Sequence, residues 1–585
     1  MRLTGEQRGA VNERGHVCLG SCPGSGKTRA IVAKLLSCIE SVRDTTRRIA
    51  CITHTVSAAD EIEIRLRETC FAGEDIYYEV ATIHGFALQN ILRPFNRLLT
   101  ELRHGFTILT PDADEYSQRA KQLIHNYGLK ASVLDEFEHV QRSPDGNISP
   151  VEALPLLLLQ ERCNWLDENA YVTLNEIVYH AGRLISGHIH IASALASRFS
   201  WILVDEFQDS SPGQIEILKQ IYKFGRTTFF CVGDPNQSIY RFAGASPELL
   251  TDFAEHIRAN ISHRLTANFR SSAHICSRAE QLCPSRPPMR AVGQHAKCEL
   301  VPIHLTVVDA KTGILDYFLP AVAALKLPFG EVAILASRWI SLFNLARELR
   351  SQNIPIVGPG ARPYRRSHLI AQAAEAVGAY LESPTPDIAI AVQRSLFGLV
   401  ANLTHRAPNS IFDFRGRIAV CKLLAEAASA RQNSAYAADW IADLGGRCSR
   451  ILVDAEILSP KQADSLQESA DQMAADILGR NNGAAVTIEE LGIFARPKNC
   501  IQLLTVHKAK GREFEAVAII EAHDGQFPHF SINRITDEAE REAQYGESRR
   551  VIYVAATRAK RVLMFFSDTA HHRNRPTPFL AEMGL

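Results

Sequence analysis

The sequence predicts an α/β protein built from two parallel, helix-covered sheets, each interrupted by a mostly helical insertion. Three observations carry that expectation. Short apolar runs alternate with amphipathic stretches in two separate parts of the chain, the pattern of parallel strands joined by crossover helices. One such run, VCLG at 17–20, leads into SCPGSGKTRA at 21–30, so a glycine-rich turn joins a strand to a helix. In two other stretches, about 95–190 and 384–495, helical spacing replaces the strands.

The elements follow in order. The first core opens over residues 1–94, with VCLG, the helical TRAIVAKLLSCIE, a second strand RIACIT (48–53) and the helical SAADEIEIRLRE. The insertion at 95–190 reads as helices such as SQRAKQLIHNYG and VEALPLLLLQERCNWL, with no buried strand expected. WILVDEF (201–207) and TTFFCVGD (227–234) are strands ending in acids and complete the first core over 191–270. The second core begins over 271–383 with CELVPIHLTVV (298–308) and VAILASR (332–338). Its insertion, 384–495, runs from near ESPTPD to the NNGAAV turn. The core then closes over 496–585 with IQLLTV, AVAIIEA and RVLMFFS. Ligands gather at the carboxyl ends of such strands.

Bulk composition bounds the reading. A chain of 585 residues suggests about four domain-sized units. Lys plus Arg is 64 and Asp plus Glu is 64, so a basic surface for a nucleic-acid partner must be local. Thirteen scattered cysteines with no C-x-x-C pair read as reduced thiols. Cys276, Cys283 and Cys298 cluster loosely, but their spacing fits no familiar metal site and they read as small buried apolar residues. The start, MRLTGEQRGA, has no signal-like apolar segment, and no run reaches the ~18 apolar residues of a membrane helix. The expected location is cytoplasmic, with no membrane partner.

The chemistry starts at the glycine turn. Backbone N–H groups of the segment Ser21, Cys22, Pro23, Gly24, Ser25 and Gly26 can wrap a β-phosphate, whether residue 21 is glycine or serine. Lys27 supplies a point charge to the β- and γ-phosphates, Thr28 a hydroxyl to Mg²⁺, and Arg29 completes the segment. The acidic half of such a site should follow a buried strand, and ILVDEFQDS provides it. Asp205 would hold Mg²⁺ and Glu206 would orient or deprotonate the attacking water. Paired with Lys27 in one core, these acids imply hydrolysis of ATP with Mg²⁺ as cofactor.

Seven further stretches decide the kind of ATPase. LTGEQ (3–7), TIHGF (82–86), DEFQD (205–209), GDPNQSIYRFAGA (233–245), LTANFRSS (265–272), TVHKAKGREF (505–514) and ESRRVIYVAATRAK (547–560) occur in that order. Together they resemble the motif set of the UvrD/Rep/PcrA-like superfamily 1 DNA helicases. The resemblance runs from Leu3 to about Leu580 and implies two RecA-like P-loop domains with ATP in the cleft between them. It also implies roles. Gln7 would read adenine, Gln237 would sense the γ-phosphate, and Arg270 and Arg558 would reach that phosphate from the second core. Glu513 would touch the ribose or couple to DNA. An arginine finger of this kind can contribute about 10³ to 10⁵ in rate. For single-stranded DNA, Tyr240 and Phe242 are the stacking candidates, where each base gains ~1 to 3 kcal/mol. His84 and His507 resemble motif histidines near the strand, and Thr53, Thr82, Thr505 and Lys508 are phosphate-contact candidates.

Departures from the family pattern accompany these matches. CITHTVSAADEI stands where TFTNKAA is usual, so His54, Val56 and Ser57 replace a stacking Phe, an Asn and a Lys. Ala243 replaces an arginine, Arg512 stands where Leu is common, and a DFDDL-like stretch is reduced to TLNEI (173–177). Lost aromatic and cationic groups should weaken DNA affinity and flatten its salt dependence. The expected function is an ATP-dependent DNA helicase and translocase moving 3′→5′ on single-stranded DNA and unwinding tailed duplex. The alternative is a DNA-stimulated ATPase that unwinds weakly and regulates a separate nuclease subunit. Stand-alone UvrD-like proteins of prokaryotic defence systems of the Gabija kind look like this.

Overall fold

The structure is a computed structural model. It describes residues 2–69, 74–110, 113–130, 133–138, 140–149, 151, 154–241, 244–364, 368–404, 411, 413–434, 436–480, 486–569 and 575–585. The chain forms two compact units. The first comprises Met1–Leu300, Ser531–Thr557 and Glu582–Gly584; the second comprises Val301–Phe530, Arg558–Ala581 and Leu585.

The first unit is built on six strands: β1 (Val17–Ser21), β2 (Arg48–Thr53), β3 (Tyr78–Thr82), β4 (Phe199–Val204), β5 (Thr228–Gly233) and β6 (Arg264–Leu265). Their order is β3-β2-β4-β5-β1-β6, and every pairing is parallel. The central strands are near-continuous apolar runs because helices cover both faces. One face packs Leu19, Ile31, Leu35, Ile49 and Phe230; the other packs Ile52, Phe86, Ile202 and Phe229. The helix Lys27–Ile39 starts from Gly26 with no side-chain cap, which leaves the first turn's N–H groups pointing out of the sheet's carboxyl edge. The helix Gly5–Asn12 begins with a capping box between Thr4 and Gln7.

The insertion of this unit divides its apolar surface. Leu109, Tyr116, Leu123, Phe137, Leu158 and Leu166 make a core of their own, whereas Leu184 and Ile185 of the helix Leu174–Gly187 pack into the sheet's core. Beside its helices, Thr107–Ile108 and Tyr171–Val172 form a two-residue parallel pairing.

The second unit repeats the plan with β7 (Ile303–Val307), β8 (Val332–Ala336), β9 (Ile356–Val357), β10 (Ile501–Thr505), β11 (Phe514–Ile519) and β12 (Ala559–Asp568). The order is β7-β12-β11-β8-β10-β9, again parallel throughout. Its insertion carries the helices Pro386–Thr404, Phe414–Asn433, Ala437–Asp454 and Pro460–Arg480. Leu396, Trp440 and Leu466 from these helices share one continuous apolar core with Ile334 and Leu503 of the sheet. That continuity makes the core and insertion one compact body where length alone suggests separate units. Among the described residues, no helix is long and apolar enough to cross a membrane.

Candidate functional site

The sheet order places β1 between β5 and β6, so the turn after β1 is held from both sides. Ser21 Oγ donates to the carbonyl of Gly233 at 2.9 Å. The Cys22 N–H donates to Leu265 O at 3.0 Å, and Phe269 N–H donates to Gly24 O at 2.9 Å. The hydroxyl that breaks the glycine pattern therefore faces a neighbouring strand rather than the hollow of the turn. Cys22 is buried, and burial raises its thiol pKa, which keeps it an inert packing group. Pro23 is buried as well, Thr28 is half-buried, and Arg29 is exposed.

Two glycines are required by geometry. Gly24 and Gly26 have φ of 64° and 77°. A Cβ on Gly24 would lie 2.6 Å from Arg270 Cβ and 3.0 Å from Asn268 Oδ1; one on Gly26 would lie 2.8 Å from Gln7 Nε2. Gln7 is buried, with Oε1 accepting from the Thr4 N–H at 3.1 Å and Nε2 donating to Ser25 O at 3.0 Å. Its amide thus ties the N-terminal helix to the turn. Lys34 secures the other end of that helix. Its ammonium donates to Val11 O at 3.0 Å and to Glu13 O, and sits 4.1 Å from the centre of the Trp201 ring. Burial lowers its pKa.

On the acidic side, Asp205 follows β4 and its N–H donates to Ile52 O at 2.8 Å. Burial, with the charge of Glu206 beside it, pushes its carboxyl up to about 7. Glu206 has a left-handed φ of 50°, and its Oε1 lies 3.7 Å from Lys27 Nζ. Gln208, which the sequence reading did not single out, is buried between the acids. Its Nε2 donates to Glu206 Oε2 at 2.7 Å and its Oε1 accepts from Asp234 N–H at 2.9 Å. The available signal was an amide lodged in an acidic DEFQD stretch. Gln237 is also buried and donates to the Asp234 carboxylate at 2.6 Å, whose pKa burial raises against the pull of Lys27. Asn268, likewise missed, accepts from the N–H groups of Arg270 and Ser271, both at 2.8 Å, and so shapes the Arg270 turn. Arg270 Nη1 donates to Thr557 O at 3.1 Å.

This half-site fits a triphosphate and a divalent cation. The hydroxyl of Ser25 is buried in the turn without a hydrogen-bond partner. The uncapped helix start opens beside it, and a buried carboxylate whose charged form is disfavoured gains by facing a cation.

The nucleic-acid candidates divide between the units. In the first, the His54 and Tyr240 rings stack with centroids 5.4 Å apart and planes at 30°. The ring of His54 thus keeps an aromatic surface where the sequence reading saw a lost platform. Both residues and His84 line a cavity of about 610 Å³. Burial lowers the pKa of His84. Thr53 Oγ1 donates to Thr55 O, and Thr82 Oγ1 caps the next helix by accepting from Gly85 N–H. Phe242 and Ala243 lie outside the described residues. In the second unit, Thr505 ends β10, and His507 and exposed Lys508 follow on the short helix Val506–Ala509. Glu513 Oε1 lies 3.5 Å from Lys560 Nζ. Buried Arg558 donates to Arg512 O at 3.2 Å, and its own carbonyl accepts from Phe514 N–H at 2.9 Å.

Two parallel α/β cores, one carrying a glycine turn with Lys27 opposed to Asp205 and Glu206, define a P-loop nucleotide hydrolase. Comparison with known families narrows the class. The model of the UvrD/REP helicase N-terminal domain matches residues 3–258, and that of the UvrD-like helicase C-terminal domain matches 460–569. The chain belongs to the UvrD/Rep-like superfamily 1 helicases. It is 25% identical over 650 residues to the ATP-dependent DNA helicase Rep of Escherichia coli, covering 97% of this chain and 90% of Rep. It is 26% identical over 309 residues to the ATP-dependent DNA helicase UvrD2 of Mycobacterium tuberculosis, covering 48% of this chain and 43% of that protein. The match thus spans less than half of UvrD2. A putative ATP-dependent DNA helicase of Bacillus subtilis, YjcD, is 22% identical over 634 residues, covering 98% of this chain and 79% of its own length.

Proposed function

We propose that the protein is an ATP-dependent DNA translocase and helicase that moves 3′→5′ on single-stranded DNA and opens tailed duplex. The observation that carries this reading is the assembly around Lys27. The glycine turn, Asp205, Glu206 and Gln237 are gathered in one core and cross-linked by Gln208 and Asp234. The family relationship supports the DNA-driven activity, since Rep and UvrD2 bear that name.

In the proposed cycle, N–H groups of the turn and of the helix start receive the phosphates, and Lys27 balances charge on the β–γ bridge. Mg²⁺, when bound, would be held by Thr28 and Asp205 and would neutralise the phosphate oxygens. Glu206, held by Gln208, orients the attacking water and takes its proton. Arg270 and Arg558 are assigned the cations that stabilise charge on the transferred phosphoryl group, and Gln237 senses its presence. Thr505, His507, Lys508, Tyr240 and His84 are assigned to the DNA strand.

Strand displacement on duplexes carrying a single-stranded tail of either polarity, with ATP turnover followed alongside, tests the reading. Displacement of the 3′-tailed substrate alone is expected. DNA-stimulated turnover without displacement would replace it with an ATPase that regulates a nuclease partner. Absence of DNA stimulation would remove both.

A further inference from the structure

We infer that Glu101, Asp167 and His180 form a binding site for one divalent transition-metal ion, of which Zn²⁺ fits best, in the insertion of the first unit. The three lie outside the nucleotide and DNA residues assigned above, and the site does not depend on that reading. Among the described residues it is the one place where three metal-binding side chains converge, with a ligand atom from each within 4.8 Å of the other two.

The imidazole carries the argument. His180 is fully buried, at 0% exposure, yet neither of its ring nitrogens has a hydrogen-bond partner. Leaving a buried polar group unpaired is costly, so such a group calls for a bound water, an ion or a chemical role. Its Nδ1 stands 3.5 Å from Glu101 Oε1 without bonding to it. Two ligands about 2.0–2.1 Å from a tetrahedral zinc ion lie about 3.4 Å apart, so the separation suits a coordinating pair. Burial, with the Arg142 cation adding to it, holds the ring's pKa down at about 3. The ring is therefore neutral at neutral pH and offers a lone pair, as a metal-binding imidazole must.

The place in the fold gives the ion a purpose. Glu101 lies between Leu99 and Leu102, and His180 between Ile177 and Leu184, four residues of the sheet's core. Asp167 sits near the end of the helix Leu156–Glu168, whose Leu158 and Leu166 belong to the insertion's own core. An ion held by all three would clip one core to the other. The Glu101 and Asp167 side chains are 17% and 32% exposed, so solvent can supply a fourth ligand. Arg142 donates to the two oxygens of Asp167 at 2.7 and 3.0 Å, is held by Glu176 and lies 3.8 Å from the centre of the Tyr179 ring. Each carboxylate oxygen has a second lone pair, so this grip orients Asp167 without closing it to a metal. Arg183 pairs with Glu101 but is 33% exposed, and it can turn to water as the ion takes its place. One imidazole and two carboxylates suit Zn²⁺, whereas Mg²⁺ prefers oxygen ligands throughout.

The test uses the full chain, stripped with chelator and kept free of nucleotide in excess Mg²⁺, with Zn²⁺ and Co²⁺ as probes. Wild type should take up one equivalent of Zn²⁺ by elemental analysis, and its thermal midpoint should rise with Zn²⁺ concentration. His180→Leu removes the unpaired ring, so its metal-free midpoint should match or exceed that of wild type while the Zn²⁺-dependent rise is lost. Glu101→Gln should weaken Zn²⁺ at least tenfold, since even loss of a partner behind a ligand costs about 10- to 100-fold. Half-buried Cys298 and exposed Cys421 are the competing ligands. Bound Co²⁺ should therefore show visible bands without the near-ultraviolet charge transfer of a thiolate. Absence of Zn²⁺ uptake by wild type overturns the site, as does equal uptake by His180→Leu. A thiolate band on the bound Co²⁺ assigns the metal to cysteine and overturns it too.

Discussion

Gln208 gives the sharpest prediction, because one amide serves two groups with different jobs. Its Nε2 orients Glu206 at 2.7 Å, and its Oε1 satisfies the buried N–H of Asp234 at 2.9 Å. Gln208→Leu keeps most of the volume and removes these two bonds together with the longer one from Nε2 to Asp209 Oδ2 at 3.4 Å. Leaving the Asp234 N–H buried and unpaired costs about 1–3 kcal/mol, so the thermal midpoint should fall. The second loss is catalytic. A general base held in place is worth roughly 10² to 10⁴ in rate, so releasing Glu206 while leaving it present should lower kcat by about ten- to a hundredfold. ATP affinity should change little, because Gln208 makes no bond to the glycine turn. Steady-state turnover at saturating DNA, together with fluorescent-nucleotide binding, separates the two. A folded Gln208→Leu protein with wild-type kcat, or one whose kcat and nucleotide affinity fall in proportion, would refute the positioning argument. Gln208→Glu should be worse still, since it removes the donor and adds a charge between Glu206 and Asp209.

Four further outcomes follow from the same geometry. Lys27→Ala should abolish DNA-stimulated ATP turnover while leaving circular dichroism unchanged; residual turnover near the wild-type rate would refute the assignment. Gly24→Ala places a Cβ 2.6 Å from Arg270 Cβ at φ 64°, and left-handed backbone alone costs about 1–2 kcal/mol, so nucleotide affinity should drop at least severalfold in equilibrium titration. Asp205 binds its proton more tightly folded than unfolded, because its carboxyl rises from 3.8 to about 7. Its contribution to stability is therefore present at acid pH and is lost as pH rises through about 7. Mg²⁺ competes with that proton, so Mg²⁺ affinity measured by calorimetry should climb with pH and level off above 7, and Asp205→Asn should erase the slope. Lys34→Met should raise the KM for ATP more than it lowers kcat, by loosening the helix that carries Gln7, and Lys34→Arg should restore it.

Legibility in the sequence mostly followed burial; β7, read from CELVPIHLTVV, is the exception, with one buried residue in five. Strands β1, β2, β4, β5, β8, β10 and β11 are buried over most of their length, so each reads as an apolar run bounded by a turn. Edge strand β3 does not. YEVAT is mostly half-exposed and mixes polar with apolar residues, so it carries no run. Strands β6 and β9 are two residues long and leave no pattern at all. The glycine turn was legible because its chemistry is local: Lys27 and the two left-handed glycines lie within four residues of one another. Gln208 was not, because its partner Asp234 lies at another strand's end and that pairing exists only once the sheet has formed; the Asn268 bonds to Arg270 and Ser271 are local, but the stretch stands out for its arginine and not for its amide. The helix Glu538–Ala556 shows the same limit. Its sequence carries no sign of which core it covers, and it groups with the first unit.

That placement ties the proposed phosphate-sensing groups of the first unit into one hydrogen-bonded path. Gln237 is followed by Ser238, whose carbonyl accepts from Arg550 Nε at 2.8 Å. Arg241 is held by its backbone N–H to Glu547 Oε1 at 3.0 Å and by its guanidinium to Glu540. Both partners sit on the helix Glu538–Ala556. At the end of that helix, the carbonyl of Thr557 accepts from Arg270, and the next residue in the chain is Arg558. On the roles proposed above, a shift of Gln237 would pull on Arg550 and a shift of Arg270 would pull on Thr557. Both contacts converge on the helix Glu538–Ala556 and on Thr557, the residue at its end. The stretches that read as separate motifs along the sequence are thus joined by hydrogen bonds within the first unit, from Ser238 beside Gln237 to the backbone of Thr557.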